Sequence, residues 1–110
     1  MIVVIPFRDL SSFSEDVELD NEIYRFSFDW NTSGKFWSMS IKNTDNDILI
    51  SGVKMVLNYD MIGDWCDRGL PDGKLVVIDE SESEHEIREK DFVNDRRLQL
   101  IYLSNYEHVI

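Results

Sequence analysis

Few residues in this chain are equipped for chemistry at neutral pH. His85 and His108 are the only histidines, and Cys66 is the only cysteine. Nucleophilic catalysis needs a thiol or hydroxyl activated by a neighbouring base. Cys66 has no sequence partner beyond those two histidines, and there is no Gly-x-Ser-x-Gly elbow or phosphate-cradling glycine loop. A small buried hydrophobe is the better reading of Cys66. Two carboxylate groupings point toward metal chemistry instead. Asp45-Asn46-Asp47 offers oxygen ligands of the calcium kind, but it lacks the remaining spacing and distal Glu of a calcium loop. A hairpin turn accounts for it. Glu82, Glu84, His85 and Glu86 could gather a divalent cation, yet one histidine among acids suits a solvated acidic loop better. Paired carboxylates for glycoside hydrolysis need a cleft that sequence does not define. These residues argue against an enzyme, and no cofactor or resident metal is expected.

The elements that would position any site are dominated by one stretch, Ile23 to Asn43. Tyr24, Phe26, Phe28 and Trp30 fall on every second residue, with Arg25, Ser27 and Asp29 between them. Period-two alternation puts successive side chains on opposite faces of a strand. Asn31-Thr32-Ser33-Gly34 follows as a turn, with Gly34 the residue expected to take positive φ. Trp37, Met39 and Ile41 then form one face of a second arm. Cross-strand aromatic pairs contribute roughly 0.2–1 kcal/mol each, so this hairpin is the expected core nucleus. All seven apolar side chains should be buried on one side of it.

Around the hairpin the chain reads as short strands and turns. Met1–Phe7 is a β-branched run ended by Pro6, which suits a strand end or sheet edge. This start lacks a basic region and is too short for a secretion signal. Phe13, Glu15, Val17 and Leu19 alternate with Ser14, Asp16, Glu18 and Asp20 as a second strand. After the Asn43–Asp47 turn, a strand is expected from Ile48 to Leu57. It changes face at Ser51-Gly52, the mark of a β-bulge, which would put Ile48 and Ile50 on one side and Val53 and Met55 on the other. Residues 58–73 form an irregular loop carrying Tyr59, Met61, Ile62, Trp65 and Leu70, with a short helical turn expected at Tyr59–Ile62. Lys74–Asp79 is a strand expected to be buried on both faces. Asp79–Asp91 is an acidic tract with only Ile87 apolar, expected as an exposed loop. Leu98–Leu103 is a last strand. Six or seven mostly antiparallel strands at short spacing make an all-β fold, a barrel or a sandwich.

Bulk composition sets the frame. A chain of 110 residues fits a single domain over residues 1–110. Its 43% hydrophobic content supports one core. A single cysteine excludes an internal disulfide. Asp and Glu number 22 against 11 Lys and Arg, a net charge of −11. Such a surface repels nucleic acid and anionic lipid, and no apolar run approaches the roughly 20 residues of a span. Direct nucleic-acid binding and membrane insertion are therefore not expected. Calcium or a basic protein partner would suit the charge.

The order of several segments resembles a known family, the small baseplate plug proteins of contractile-tailed bacteriophages. The segments are Ile5-Pro6, Tyr24-x-Phe26-x-Phe28-x-Trp30-Asn31, Phe36–Ile41, Ile50-Ser51-Gly52-Val53-Lys54, Arg68–Leu75, Arg88…Asp91-Phe92 and Leu100–Leu103. The acidic tract from Asp79 to Glu89 and the Tyr106–Ile110 tail depart from the pattern. The resemblance implies a non-enzymatic virion part that helps close the distal tail tube where it meets the hub and spike. It also implies assembly in the host cytoplasm, several copies per particle, and hub, spike, tube or tape-measure neighbours. The family carries no catalytic residues to transfer. Apolar side chains in loops and termini are then the expected partner-binding residues. These are Met61, Ile62 and Trp65 of the long loop and Tyr106, Val109 and Ile110 of the tail, with the N-terminal strand as a further candidate. A carbohydrate- or metal-binding β module, with Trp65 as its stacking platform, is the alternative reading.

Overall fold

The computed structural model describes residues 2–63, 69–79, 87–93 and 97–104. Seven strands run through them: β1 (Ile2–Ile5), β2 (Ser12–Leu19), β3 (Glu22–Asn31), β4 (Phe36–Lys42), β5 (Ile48–Lys54), β6 (Lys74–Asp79) and β7 (Leu98–Leu103). They form two antiparallel sheets, one ordered β2-β3-β4-β5 and the other β1-β7-β6. The sheets stay separate and enclose one hydrophobic core, so the architecture is a sandwich and not a barrel.

The aromatic hairpin forms as its alternation dictates. Phe26 pairs with Ile41, Phe28 with Met39 and Trp30 with Trp37 across β3 and β4. Phe26, Phe28, Met39 and Ile41 are completely buried, Tyr24 and Trp37 nearly so, and Trp30 is half-buried at the strand end. The connecting turn spans residues 32–35, but the positive φ falls on Lys35 (58°) and not on Gly34. Gly34 serves a different need, since a Cβ there would lie 2.4 Å from the Phe36 ring. The Asn31 carboxamide accepts the Gly34 N–H at 2.8 Å and holds the turn.

Two tight turns extend the same sheet. Asp20 and Asn21 both have positive φ, 53° and 68°, as a two-residue hairpin loop between paired Leu19 and Glu22 requires. Asn43 organises the next turn, its Oδ1 accepting the Asp45 and Asp47 N–H groups at 2.9 Å each. The Asp45-Asn46-Asp47 grouping is thus accounted for by turn geometry.

Strand β5 carries the expected bulge and a second one. Pairing steps from Ile41↔Ile50 to Met39↔Val53, so one extra residue sits at Ser51-Gly52, where Gly52 has φ +67°. Pairing also steps from Lys42↔Ile48 to Ile41↔Ile50, which places a further extra residue at Leu49. The expectation that Ile48 and Ile50 share a face is therefore corrected: Ile48 is exposed and Ile50 buried. The strand ends at Lys54 and not Leu57. Met55 still donates to the Trp37 carbonyl, and Leu57 forms an isolated parallel bridge to Val77.

The second sheet closes the core from the other side. Leu75 and Val77 of β6 and Leu98, Leu100 and Tyr102 of β7 point inward and are buried. Val76 and Ile78 on the opposite face of β6 are only half-buried, short of the burial expected on both faces. Phe7 and Phe92 join the two sheets at one end. Their rings stack at 4.1 Å, and Phe7 also meets Phe13, Phe28 and Trp37 at 4.6–5.2 Å.

Candidate interaction surface

The candidate partner-binding residues divide sharply once the structure is in hand. Met61 and Ile62 are 3% and 1% exposed, members of the chain's own core. Their segment is tied to β6 by Asn58 N–H to the Val77 carbonyl and Met61 N–H to the Leu75 carbonyl, both 2.9 Å. Asp60 Oδ1 accepts from Ile62 and Leu75 N–H at 3.2 Å. The backbone there is turn and bend, not the expected helical turn. The expectation that Met61 and Ile62 face a partner is corrected: they root the long loop in the body. Trp65, Tyr106, Val109 and Ile110 lie outside the described residues, as do Cys66, Glu82, Glu84, His85, Glu86 and His108.

Large apolar side chains are nonetheless exposed elsewhere. Ile2, Val4, Leu10, Ile23, Ile48 and Tyr59 each show half or more of their surface to solvent. The N-terminal strand and the Tyr59 loop are candidates as segments, but the sequence does not single out which of their side chains face outward, and it carries no sign of Ile48. Ile2-Val3-Val4-Ile5 is uniformly apolar, so its inward and outward positions cannot be told apart by alternation. Ile48 was hidden by the second bulge. Ile23 had a readable signal, because it sits out of phase with Tyr24, Phe26 and Phe28.

The acidic tract is anchored at its base in a way its composition does not reveal. Asp79 and Asp91, its first and last residues, are both buried against Arg97. The Arg97 guanidinium donates to Asp79 and, at 2.7 Å, to Asp91 Oδ2. Asp91 also accepts the Arg88 N–H at 2.8 Å. Burial alone would raise the Asp91 carboxyl; hydrogen bonds from Arg97 and the Arg88 backbone outweigh it and hold the carboxyl below its usual value. Ile87 is half-buried against the core. An exposed loop throughout Asp79–Asp91 is therefore corrected at both ends, while residues 80–86 lie outside the described set.

A second polar cluster links the sheets. Tyr102 Oη donates to Asp20 Oδ2 and accepts the Gly73 N–H at 2.8 Å, while Ser104 Oγ donates to Asp20 Oδ1 at 2.6 Å. The β2–β3 turn of one sheet is thereby pinned to β7 of the other. Burial, reinforced by nearby carboxylates, holds the Tyr24 and Tyr102 phenols well above their usual range. A cleft of about 350 Å³ opens beside them, walled by Tyr24, Leu70, Pro71 and the carboxylates of Asp20, Glu22 and Asp72. Asp20 and Glu22 are committed there to Tyr102, Ser104 and Tyr24. Among the described residues no three His, Cys, Asp or Glu side chains converge as a metal site.

The class these observations define is a two-sheet all-β sandwich whose polar clusters brace its own frame and whose surface shows scattered apolar side chains. The family model described as "Cyanophage baseplate Pam3 plug gp18" matches residues 2–105. The chain belongs to this baseplate plug family. No curated protein matches it.

Proposed function

We propose that this chain is a structural virion protein of a contractile phage tail, closing the distal end of the tail tube at the hub and spike and taking part in baseplate assembly. The observation that carries the reading is the family match over nearly the whole chain, residues 2–105. The internal use of the polar clusters supports it: Arg97, Asp91, Asp20 and Tyr102 are spent on holding the sandwich together. The protein acts by contact with other tail proteins and turns over no substrate. It is present in several copies, assembles in the host cytoplasm, and binds neither nucleic acid nor lipid.

Within this reading Trp65 of the long loop, whose root is Met61 and Ile62, and Tyr106, Val109 and Ile110 of the tail are partner anchors. Aromatic and aliphatic anchors carry most of an interface's binding energy, with charges at the rim. The test is a cryo-electron-microscopy map of the particle that contains the chain, together with particle yield for Trp65→Ala. The expected result is density for this sandwich on the tube axis and a loss of incorporation by a variant that remains folded. A chain absent from the particle, or one that turns over a substrate, would overturn the proposal.

A further inference from the structure

The four sheet edges of this sandwich are not treated alike. Exposed strand edges invite pairing with other chains, and proteins blunt them with charge, bulges or a covering segment. Strand β2 carries Asp16 and Glu18 outward and Glu15 on its core-facing side, an inward charge of the kind that deters pairing. Strand β5 is interrupted by two bulges. The outer edge of β6 is met by Leu57, Asn58 and Met61 through a parallel bridge and two backbone hydrogen bonds. For such protection strand β1 has, among the described residues, only its shortness and the Pro6 that follows it. It reads Ile2-Val3-Val4-Ile5, without charge, glycine or bulge, and among the described residues it pairs only with β7.

Its outward face is apolar and continues across the sheet. Ile2 and Val4 are 62% and 53% exposed. Val4 lies opposite Ile101, which lies opposite Val76, while Ile2 lies opposite Leu103. Ile101, on this same outer side and apart from the main core cluster, is only 7% exposed, so the apolar face is covered at the central strand and open at Ile2 and Val4.

We infer that β1 is a docking edge for an extended segment of another baseplate protein, which adds to the β1-β7-β6 sheet as a fourth strand. The segment carries net positive charge and presents alternate apolar side chains beside Ile2 and Val4. Main-chain hydrogen bonds would supply register and the apolar row selectivity, as in other strand additions. The net charge of −11 favours a basic segment and disfavours a second copy, which would bring like charge to like. A four-residue strand pair also buries far less than the roughly 1,600 Å² of a stable interface. A neighbour already held elsewhere in the baseplate overcomes this through effective concentration, whereas two free copies do not. The inference rests on the baseplate reading and names its point of contact.

The experiment is amide hydrogen exchange on the chain, free in dilute solution and within purified particles, with recruitment of Ile2→Lys/Val4→Lys and of Ile48→Lys as a control. The outward-pointing β1 amides are expected to exchange freely in the isolated chain and to become protected in the particle. The double variant is expected to lose recruitment about tenfold or more, the effect of about 1.4 kcal/mol, while the control is recruited normally. Protection already present in the free chain would overturn the inference. Sedimentation, and truncation after Ser104, then tell a second copy from the chain's own tail. Unprotected β1 amides in particles that contain the chain would also overturn it and leave the baseplate reading standing. Particles that lack the chain would overturn both. Exchange on the natural sequence decides the matter even where the double variant fails to fold.

Discussion

Among the described residues Arg97 is the cation that joins two buried carboxylates. Its guanidinium is the shared donor for Asp79 and Asp91, which lie 12 positions apart in the sequence. Removing one member of a buried ion pair leaves an uncompensated charge. Arg97→Ala should therefore cost about 3 kcal/mol in urea unfolding, and Asp79→Asn/Asp91→Asn in the same background should recover part of the loss. Acid acts on the same cluster. The Asp91 carboxyl is depressed in the fold, so its contribution is complete above the unfolded value of about 3.8 and is lost as pH falls through the lower folded value. Glu15 works in the opposite sense. Its carboxyl sits on the core side of β2, Oε2 is buried without a hydrogen-bond partner among the described residues, and burial raises its pKa against the opposing pull of Arg8. Its charged form opposes folding at neutral pH, and protonation relieves that as pH falls toward 4.5. Glu15→Gln should raise stability at about pH 7 and make little difference below about pH 4.5, as paired urea titrations would read.

At the scale of elements, two glycines set strand geometry for different reasons. Gly52 sits at φ +67° in the β5 bulge with open space around its Cα. Gly52→Ala should cost only the left-handed backbone penalty, about 1–2 kcal/mol. Gly73 precedes β6, and a Cβ there would lie 2.2 Å from the Leu103 carbonyl and 2.5 Å from the Tyr102 ring. Gly73→Ala must push β6 away from β7, so thermal unfolding should rank it well below Gly52→Ala. Tyr102→Phe probes the link between the sheets. It leaves the Gly73 N–H without its acceptor and removes the Tyr102 donor from Asp20 Oδ2, while Ser104 still donates to Oδ1, an expected loss of about 1–3 kcal/mol by chemical denaturation.

At the scale of the whole molecule, one core serves both sheets, and the aromatic hairpin supplies its centre. Phe26→Ala should cost about 3–5 kcal/mol. Near-ultraviolet signals from β3–β4 and those from Tyr102 in the other sheet should be lost in a single transition. Separate transitions would show that the sheets are independently stable. Strands β1 and β7 pair although nearly the whole chain lies between them. Contacts of such sequence separation slow folding, and refolding on the millisecond-to-second scale is expected in stopped-flow fluorescence.

Much of the sandwich was legible in the order of residues because strand alternation is a local property. Tyr24, Phe26 and Phe28 announce a buried face and Ser51-Gly52 a bulge, each within a few positions of chain. β6 and β7 were legible as elements from short apolar runs, which are equally local. The partners of Arg97 were not, because Asp79 and Asp91 look like any other acids in a polar tract until β6 and β7 bring their ends together. Nor was the fate of Met61 and Ile62, since an apolar residue in a loop can face a partner or its own core. Only the backbone bonds to β6 decide between them. The same holds for β1: four apolar residues in a row predict a strand, but which two face outward, and that among the described residues only β7 pairs with it, follows from the register at the far end of the chain.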